Sequence, residues 1–350
     1  MSSSKPILGI IGGGQLGSML CQAAKDIDIS TTILTDDQNA PAQNFCDTFI
    51  HSDYKDHATI DKFAKSCDFI TFEFENIPFK ILEKISAITK VNPEPNINKV
   101  VQNRFTEKNF LKTLGIATTS FAFIKSKIDV EKNQNLLPGI LKTCTLGYDG
   151  KGQHVINTMK DVQDDWCFSS DYILEKFVDL KQEVSVIITR YSNGDLSIFE
   201  PIENIHKEQI LKTSTIPANI NAEISDEAKS IAKKISEKLK YIGTMCVEFF
   251  IDKENKLYVN EIAPRVHNSG HLTINAFNIS QFENHVRAVC GLENIELQKK
   301  SNAEMRNIIG DEINKYRGKT LGKNQFLFDY LKKEIKVKRK MGHITTLLRS

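Results

Sequence analysis

At 350 residues the chain exceeds one ordinary domain, so two or three are expected. Composition is that of an ordinary globular protein, 40% hydrophobic and 26% charged, and a net charge of +2 argues against a general nucleic-acid or membrane-surface binder. The seven cysteines include no CxxC pair, no apolar run approaches the roughly 20 residues of a membrane span, and Met1 to Lys5 leads straight into strand-like residues; the expectation is a cytoplasmic protein whose cysteines are small apolar fillers.

Residues 6–97 alternate short apolar runs with helical patterns. Ile7 to Ile11 reads as a buried strand and Gln15 to Lys25 as a helix opened by glycines, with further strands at Thr31 to Thr35 and Phe69 to Phe74. This rhythm predicts a parallel sheet that ends near Pro93 and Pro95. Gly12 to Gly17 fits G-x-G-x-x-G, with Asp36 and Asp37 about 20 residues on, where a dinucleotide fold keeps its ribose acid. The same glycines serve any tight strand-to-helix turn or any small anion at a helix N-terminus, so an NAD site is one of two readings.

Asn98 to Gly115 reads as one helix, with Asn98 at its N-cap and Gly115 just past its end. Short strands over 118–183 surround Gly147-Tyr148-Asp149-Gly150-Lys151-Gly152-Gln153, whose glycines let backbone N–H groups close over phosphates beside Lys142 and Lys151. The competing reading is a flexible hairpin turn; it is no Walker loop. Glu175 and Glu183, on strand-like runs, either bond a base or ribose or are solvated strand ends. A helix follows over Asp226 to Tyr241 and another near Gln281 to Cys290. Polar residues near 293–303 precede a basic tail, Lys332 to Lys340, which is either a solvated or nucleic-acid face or a phosphate anchor leading into a last strand.

The most informative run is Asn260 to His271: after the apolar alternation of Lys256 to Val259 come a carboxylate, an arginine, two histidines, an asparagine and a serine. Such polarity needs partners, and suits a charged ligand. A hairpin with a four-residue loop at 253–256 puts Asp252 opposite Leu257, Phe249 opposite Asn260 and Glu248 opposite Glu261. Facing like charges destabilise a bare hairpin, whereas a divalent cation reverses that sign. A register slip, or two solvated glutamates, is the open alternative.

These elements, in this order, resemble the N5-carboxyaminoimidazole ribonucleotide synthetases, ATP-grasp enzymes of purine synthesis. The resembling segments are Gly12 to Gly17, Glu73 to Pro78, Asn103 to Gly115, Lys142 to Gln153, Ile173 to Val186, Glu203 to His206, Glu248, Asn260 to His271 with Gln281 to Glu283, and Arg339 to His343. The resemblance implies an α/β protein: a Rossmann-like parallel-sheet domain (1–97), an ATP-grasp domain (98–292) with a lid at about 118–183, and a small β-rich C-terminal domain (293–350). It implies carboxylation of aminoimidazole ribonucleotide with ATP and bicarbonate, giving ADP and phosphate, through carboxyphosphate that a closing lid keeps from water. Cofactors would be ATP and Mg²⁺, or Mn²⁺. Partners would be small molecules and a second copy in a homodimer, with no nucleic acid or membrane.

By the same resemblance Glu248 and Glu261 hold the metal, supported by Asn260. Arg104, Lys142, Gly147, Tyr148, Asp149, Gly150, Lys151, Gly152, Gln153, Glu175, Lys176, Phe177, Val178, Glu183 and His206 line the ATP site. Asp149 takes the proton of the attacking amine, while Arg265, with His267 and His271, orients the bicarbonate-derived group. Gln15, Leu16, Glu73, Asn76, Tyr148 and Arg265 contact the aminoimidazole nucleotide, whose 5′-phosphate meets Lys332, Arg339 and Lys340.

The chain departs from the family pattern at Leu272, where an aromatic is usual, at Leu331, where a glycine is usual, and at Lys336, Val337 and Lys338, which replace Arg-Pro-Gly. A formate-using nucleotide transformylase of the same fold is the alternative function. An NAD dehydrogenase and a nucleic-acid module are the alternatives from other classes.

Overall fold

The computed structural model describes residues 5–145, 147, 152–163 and 170–348. Its first part carries β1 (Ile7–Ile11), α1 (Gln15–Asp26), β2 (Ser30–Thr35), β3 (Thr48–His51), α2 (His57–Ser66), β4 (Phe69–Phe72) and α3 (Phe79–Ser86). The strands are parallel in the order β3-β2-β1-β4. β1 is apolar throughout because both its faces are covered: Leu8 and Ile10 pack with Met19 and Leu20 of α1, and Ile11 packs with Ile60 and Phe63 of α2.

The next segment differs from the single helix expected over 98–115. α4 (Asn96–Val101) and α5 (Arg104–Thr113) are separate, because the Asn103 side chain accepts the N–H groups of Phe105 and Thr106 and starts a new helix there. The predicted end stands: Gly115 has φ +66. β5 (Phe121–Ile124), α6 (Lys127–Lys132), β6 (Gly139–Thr143), β7 (Gln153–Ile156) and β8 (Tyr172–Lys176) then form a small subdomain around a four-stranded antiparallel sheet of order β5-β8-β6-β7.

The remainder is built on one large sheet. Its elements are β9 (Leu180–Arg190), β10 (Leu196–Ile198), β11 (Ile202–Lys207), β12 (Ile210–Ile216), α7 (Ala222–Lys238), β13 (Gly243–Asp252), β14 (Leu257–Ala263), α8 (Thr273–Ala276), α9 (Gln281–Val289), β15 (Asn302–Ile309), β16 (Gln325–Asp329) and β17 (Lys340–Leu348). Among the described residues the order is β14-β13-β9-β11-β12-β15-β17-β16, with β10 paired to β9. The C-terminal strands are therefore a continuation of the middle sheet, joined through β12 and β15. α7 begins at Ala222 rather than Asp226, since the Asn221 side chain accepts the Ile224 N–H.

Strand alternation sorts this sheet into two jobs. Val184, Val186 and Ile188 of β9 with Met245, Val247, Phe249 and Ile251 of β13 face Ala228, Ala232 and Ile235 of α7 in one dry core. Each such side chain contributes about 1.5–3 kcal/mol of burial, which fixes the register of both strands. Ser185, Cys246 and Glu248, one position out of phase, are thereby turned to the opposite face, where the polar residues gather.

Candidate active site

Glu248 stands opposite Glu261, as the spacing predicted, but by a different route. Asp252 N donates to Lys256 O and Asn255 has φ +66, so the turn closes over three residues, 253–255. Ile251, not Asp252, therefore faces Leu257, and Phe249 faces Val259 rather than Asn260. A bulge between Glu248 and Phe249 takes up Asn260 and brings Glu261 back opposite Glu248. β14 continues to Ala263, so Asn260 and Glu261 lie within the strand and not beyond its end.

The two carboxylates are compensated separately. Arg104 Nη1 lies 2.8 Å from Glu261 Oε2, and His267 Nε2 lies 2.9 Å from Glu248 Oε1. Burial alone would raise the Glu248 carboxyl, but the contact with His267 and the fields of His206 and Arg265 outweigh it and hold it well below the usual carboxylate range. Beside them the Asn260 side-chain oxygen is buried with no hydrogen-bond partner among the described residues. Two facing carboxylates and an unspent amide oxygen are hard donors, the set that fits Mg²⁺ or Mn²⁺. Cys246 lies with Glu248 and His267 in a trio whose ligand atoms are within 4.8 Å of one another. Burial pushes that thiol well up, so it is a neutral filler.

A cationic cluster adjoins this pair. Glu175 is buried between Lys142 Nζ at 3.3 Å and Lys108 Nζ at 3.2 Å, and accepts from Thr119 Oγ1 at 2.8 Å. Burial opposes its charge, yet the two lysines hold it at about 2. Lys108 also reaches Thr118 and the Asn260 carbonyl, tying α5 to β14. Next to it Glu107 accepts the Ile262 N–H at 3.3 Å and is pushed well up by burial and by Glu261. Glu107 and Lys108 carry no signal in the sequence because helix-face polar residues look solvated until the helix is docked, and Thr119 lies in the connection before β5. Glu183 pairs with His206 at 2.8 Å; burial lowers the imidazole, but Glu183 outweighs it and raises it.

The lid residues divide. Gly147 O accepts from Arg104 Nη2 at 3.1 Å. Gln153 pairs in register with Lys142, and Gly152 has φ +71 with no room for a Cβ, which would lie 2.6 Å from Thr143 Oγ1. Lys176 ends β8, Phe177 and Val178 follow it, and Phe177 is 40% exposed. Tyr148, Asp149, Gly150 and Lys151 lie outside the described residues. A cleft lined by Glu75, Asn76, Arg104, Gly147 and Glu261 runs between the lid and β14.

Glu73 and His271 are placed otherwise than supposed, and Arg265 is clamped by a neighbour. Glu73 is not a free carboxylate: it is buried under the glycine loop and accepts the backbone N–H groups of Gly14 and Gly17. It occupies the position a dinucleotide pyrophosphate would need, which removes the NAD reading. Arg265 is held by Glu75, with Nε 2.5 Å and Nη2 3.4 Å from its oxygens, and its Nη1 donates to the Val266 carbonyl at 3.2 Å. Glu75, absent from the expected set, is thus the arginine's counter-ion. His271 has no exposed surface; it is packed among Phe282, Tyr330 and His343, and burial drives it well below its usual range. It is a core histidine, while His267 stands at the carboxylates.

Sheet continuity brings the tail to the first domain. Lys332 Nζ donates to Gln15 Oε1 at 2.8 Å, at the first turn of α1 beside Leu16, and to the Lys340 carbonyl at 2.7 Å. Arg339 is turned to the Glu334 carbonyl. Leu331 (φ +53) and Lys338 (φ +64), two of the departures noted above, both hold left-handed backbone where the family usually has glycine.

Two buried lysines, Lys108 from α5 and Lys142 from the antiparallel lid, set over a sheet whose hairpin presents two facing glutamates, define an ATP-grasp ligase. Family models match in order: the ribonucleotide synthetase preATP-grasp domain over 6–102, the ATP-grasp domain over 109–282 and the phosphoribosylaminoimidazole carboxylase C-terminal domain over 303–350. The N5-carboxyaminoimidazole ribonucleotide synthase of Brucella melitensis is 41% identical, covering 99% of this chain and 98% of its own. The Staphylococcus aureus synthetase solved with ADP superposes at a TM-score of 0.93 with 37% identity, covering 100% of this chain and 95% of its own. The Aspergillus clavatus enzyme, solved with ADP and 5-aminoimidazole ribonucleotide, superposes at 0.89 with 27% identity over 98% of this chain and 94% of its own. The chain belongs to the N5-carboxyaminoimidazole ribonucleotide synthase family, ADP-forming ligases of purine biosynthesis. No helix among the described residues is long and apolar enough to cross a membrane.

Proposed function

We propose that this cleft carboxylates the exocyclic amine of aminoimidazole ribonucleotide, using ATP and bicarbonate, with the facing Glu248 and Glu261 beside the unpartnered Asn260 oxygen as its centre. That juxtaposition carries the reading, because two facing carboxylates with a hard amide oxygen beside them offer a divalent cation its donors. Magnesium supplies neutralisation of the β- and γ-phosphate charge when bound there.

The other roles belong to this chain's own side chains. Lys142, held by Glu175, faces the phosphates, and Glu183 with His206 accepts from and orients the ribose. A bicarbonate oxygen attacks the γ-phosphorus and ADP leaves, giving carboxyphosphate. The amine nitrogen then forms a bond to the carboxyl carbon, directly or as released CO₂, the bond to the phosphate oxygen breaks, and the amine proton passes to Asp149. Arg265, fixed by Glu75, stabilises the carboxyl group's negative charge, and His267 borders the same space. Lys332 and Gln15 with Lys340 and Arg339 meet the nucleotide's 5′-phosphate end. The protein works in the cytoplasm as a homodimer, an assembly that light scattering would test.

The discriminating experiment follows ADP formation with aminoimidazole ribonucleotide and either bicarbonate or formate. Turnover with bicarbonate alone is expected; turnover with formate alone would overturn the proposal in favour of a transformylase.

A further inference from the structure

Behind Glu248 a continuous chain of hydrogen bonds runs into the sheet, and none of the steps above uses it. Ser214 Oγ donates to Asn204 Oδ1 at 2.8 Å, and Asn204 Nδ2 donates to Ser185 Oγ at 2.9 Å. Ser185 Oγ lies 2.8 Å from Ser269 Oγ, which lies 2.9 Å from His267 Nδ1; His267 Nε2 then meets Glu248 Oε1 at 2.9 Å. The three serines have no exposed surface, so their hydroxyls must pair within the protein.

Fixed partners at both ring nitrogens give the chain a direction. The backbone N–H of Ser269 points at His267 Nδ1 from 3.3 Å and can only donate, so Nδ1 accepts. A carboxylate can only accept, so the proton sits on Nε2. Ser269 then donates its hydroxyl hydrogen to Nδ1, Ser185 donates to Ser269, and the Asn204 amide donates to Ser185. Reversing the chain would set an Nδ1–H against the Ser269 N–H and a lone pair against Glu248.

We propose that Ser269, backed by Ser185 and Asn204, is a positioning residue that locks His267 in its Nε2–H tautomer and so keeps the Glu248 carboxylate in one orientation. The proposal rests on the reading of Glu248 as a metal-side carboxylate. Strand pairing explains why a serine stands at 185: β9 lies beside β13 with Ser185 directly opposite Glu248, and a larger apolar residue there would sever the chain.

The test uses the full chain with histidine-selective ¹⁵N labelling, long-range ¹H–¹⁵N spectra without nucleotide or metal, and assignment of His267 by its loss in His267→Asn. Wild type should show the Nε2-protonated pattern alone. Ser269→Ala should give a tautomer mixture, with kcat about tenfold lower and KM for ATP within about twofold, the scale of one lost hydrogen bond. Ser185→Ala should give a smaller shift the same way, and remains informative if Ser269→Ala does not fold. Ser214→Ala, at the far end, should keep the tautomer and the rate. An Nδ1-protonated wild type, or a pattern unchanged in both Ser269→Ala and Ser185→Ala, would overturn the proposal. Because the spectra need no turnover, a chain that shifts tautomer but lacks bicarbonate-dependent activity would refute the functional reading and leave the positioning role standing.

Discussion

Glu175→Gln removes the one negative charge between two buried lysines. Side-chain exposures of 4% for Glu175, 2% for Lys108 and 9% for Lys142 leave little solvent to screen the loss. Breaking a buried ion pair by deleting one partner costs about 3–5 kcal/mol. Glutamine keeps the Thr119 contact, so about 3–4 kcal/mol is expected, or a fall in Tm of about 6–15 °C for a unit this size. The cause is the stranded ammonium groups, so Lys108→Met added to Glu175→Gln should recover part of the loss, with a coupling of about 2 kcal/mol in a double-mutant cycle. Differential scanning fluorimetry on the four proteins reads this directly. MgADP should also stabilise Glu175→Gln more than wild type, since phosphates would then compensate Lys142. Strictly additive substitutions, or a Tm shift under 2 °C or so for Glu175→Gln, would refute the reasoning.

Further expectations rest on other parts of the molecule. Burial holds His343 at about 3 and His285 at about 4, so both stay neutral in the folded state. Their folded values lie below the usual 6.5 or so, hence the unfolded chain binds more protons as pH falls. Stability is therefore full above about pH 6.5 and should drop by roughly 2 kcal/mol per histidine between pH 7 and pH 5, as urea unfolding at the two values would measure; a flat profile would contradict it. Glu75→Gln should free the Arg265 guanidinium, lowering stability by about 2 kcal/mol and kcat by ten- to a hundredfold or so, with KM for ATP little changed; a rate equal to wild type would show that the clamp is dispensable. Leu331→Gly and Lys338→Gly remove left-handed strain and should each stabilise by about 0.5–1 kcal/mol in urea unfolding, and destabilisation at both positions would contradict the strain argument.

How much of this was legible beforehand varies with the range of the interactions. The pairing of Glu248 with Glu261 was readable because both sit on one hairpin, although two errors cancelled: the turn is a residue tighter than counted, and the bulge at Asn260 restores the offset. Nothing in the residues themselves announces a bulge. The helix broken at Asn103 was misread because Asn98 and Asn103 are equally good caps by type, and only docking chooses between them. Glu73 looked like a ligand since its partners, the N–H groups of Gly14 and Gly17, lie far upstream in the chain. Likewise Glu75 and Lys108 join the site only because β4 and α5 are packed against it. His271 shares its motif with His267, yet the helical turn at Asn268–Leu272 rotates it into the core.

The facing glutamates remain the centre of the account, and metal binding tests them without the rest of the reaction. Mn²⁺ titrated into the protein with ADP, followed by the electron paramagnetic resonance of free Mn²⁺, should show about tenfold or greater weakening in both Glu248→Gln and Glu261→Gln, each removing one charged contact. Wild-type Mn²⁺ affinity in both folded variants would contradict it.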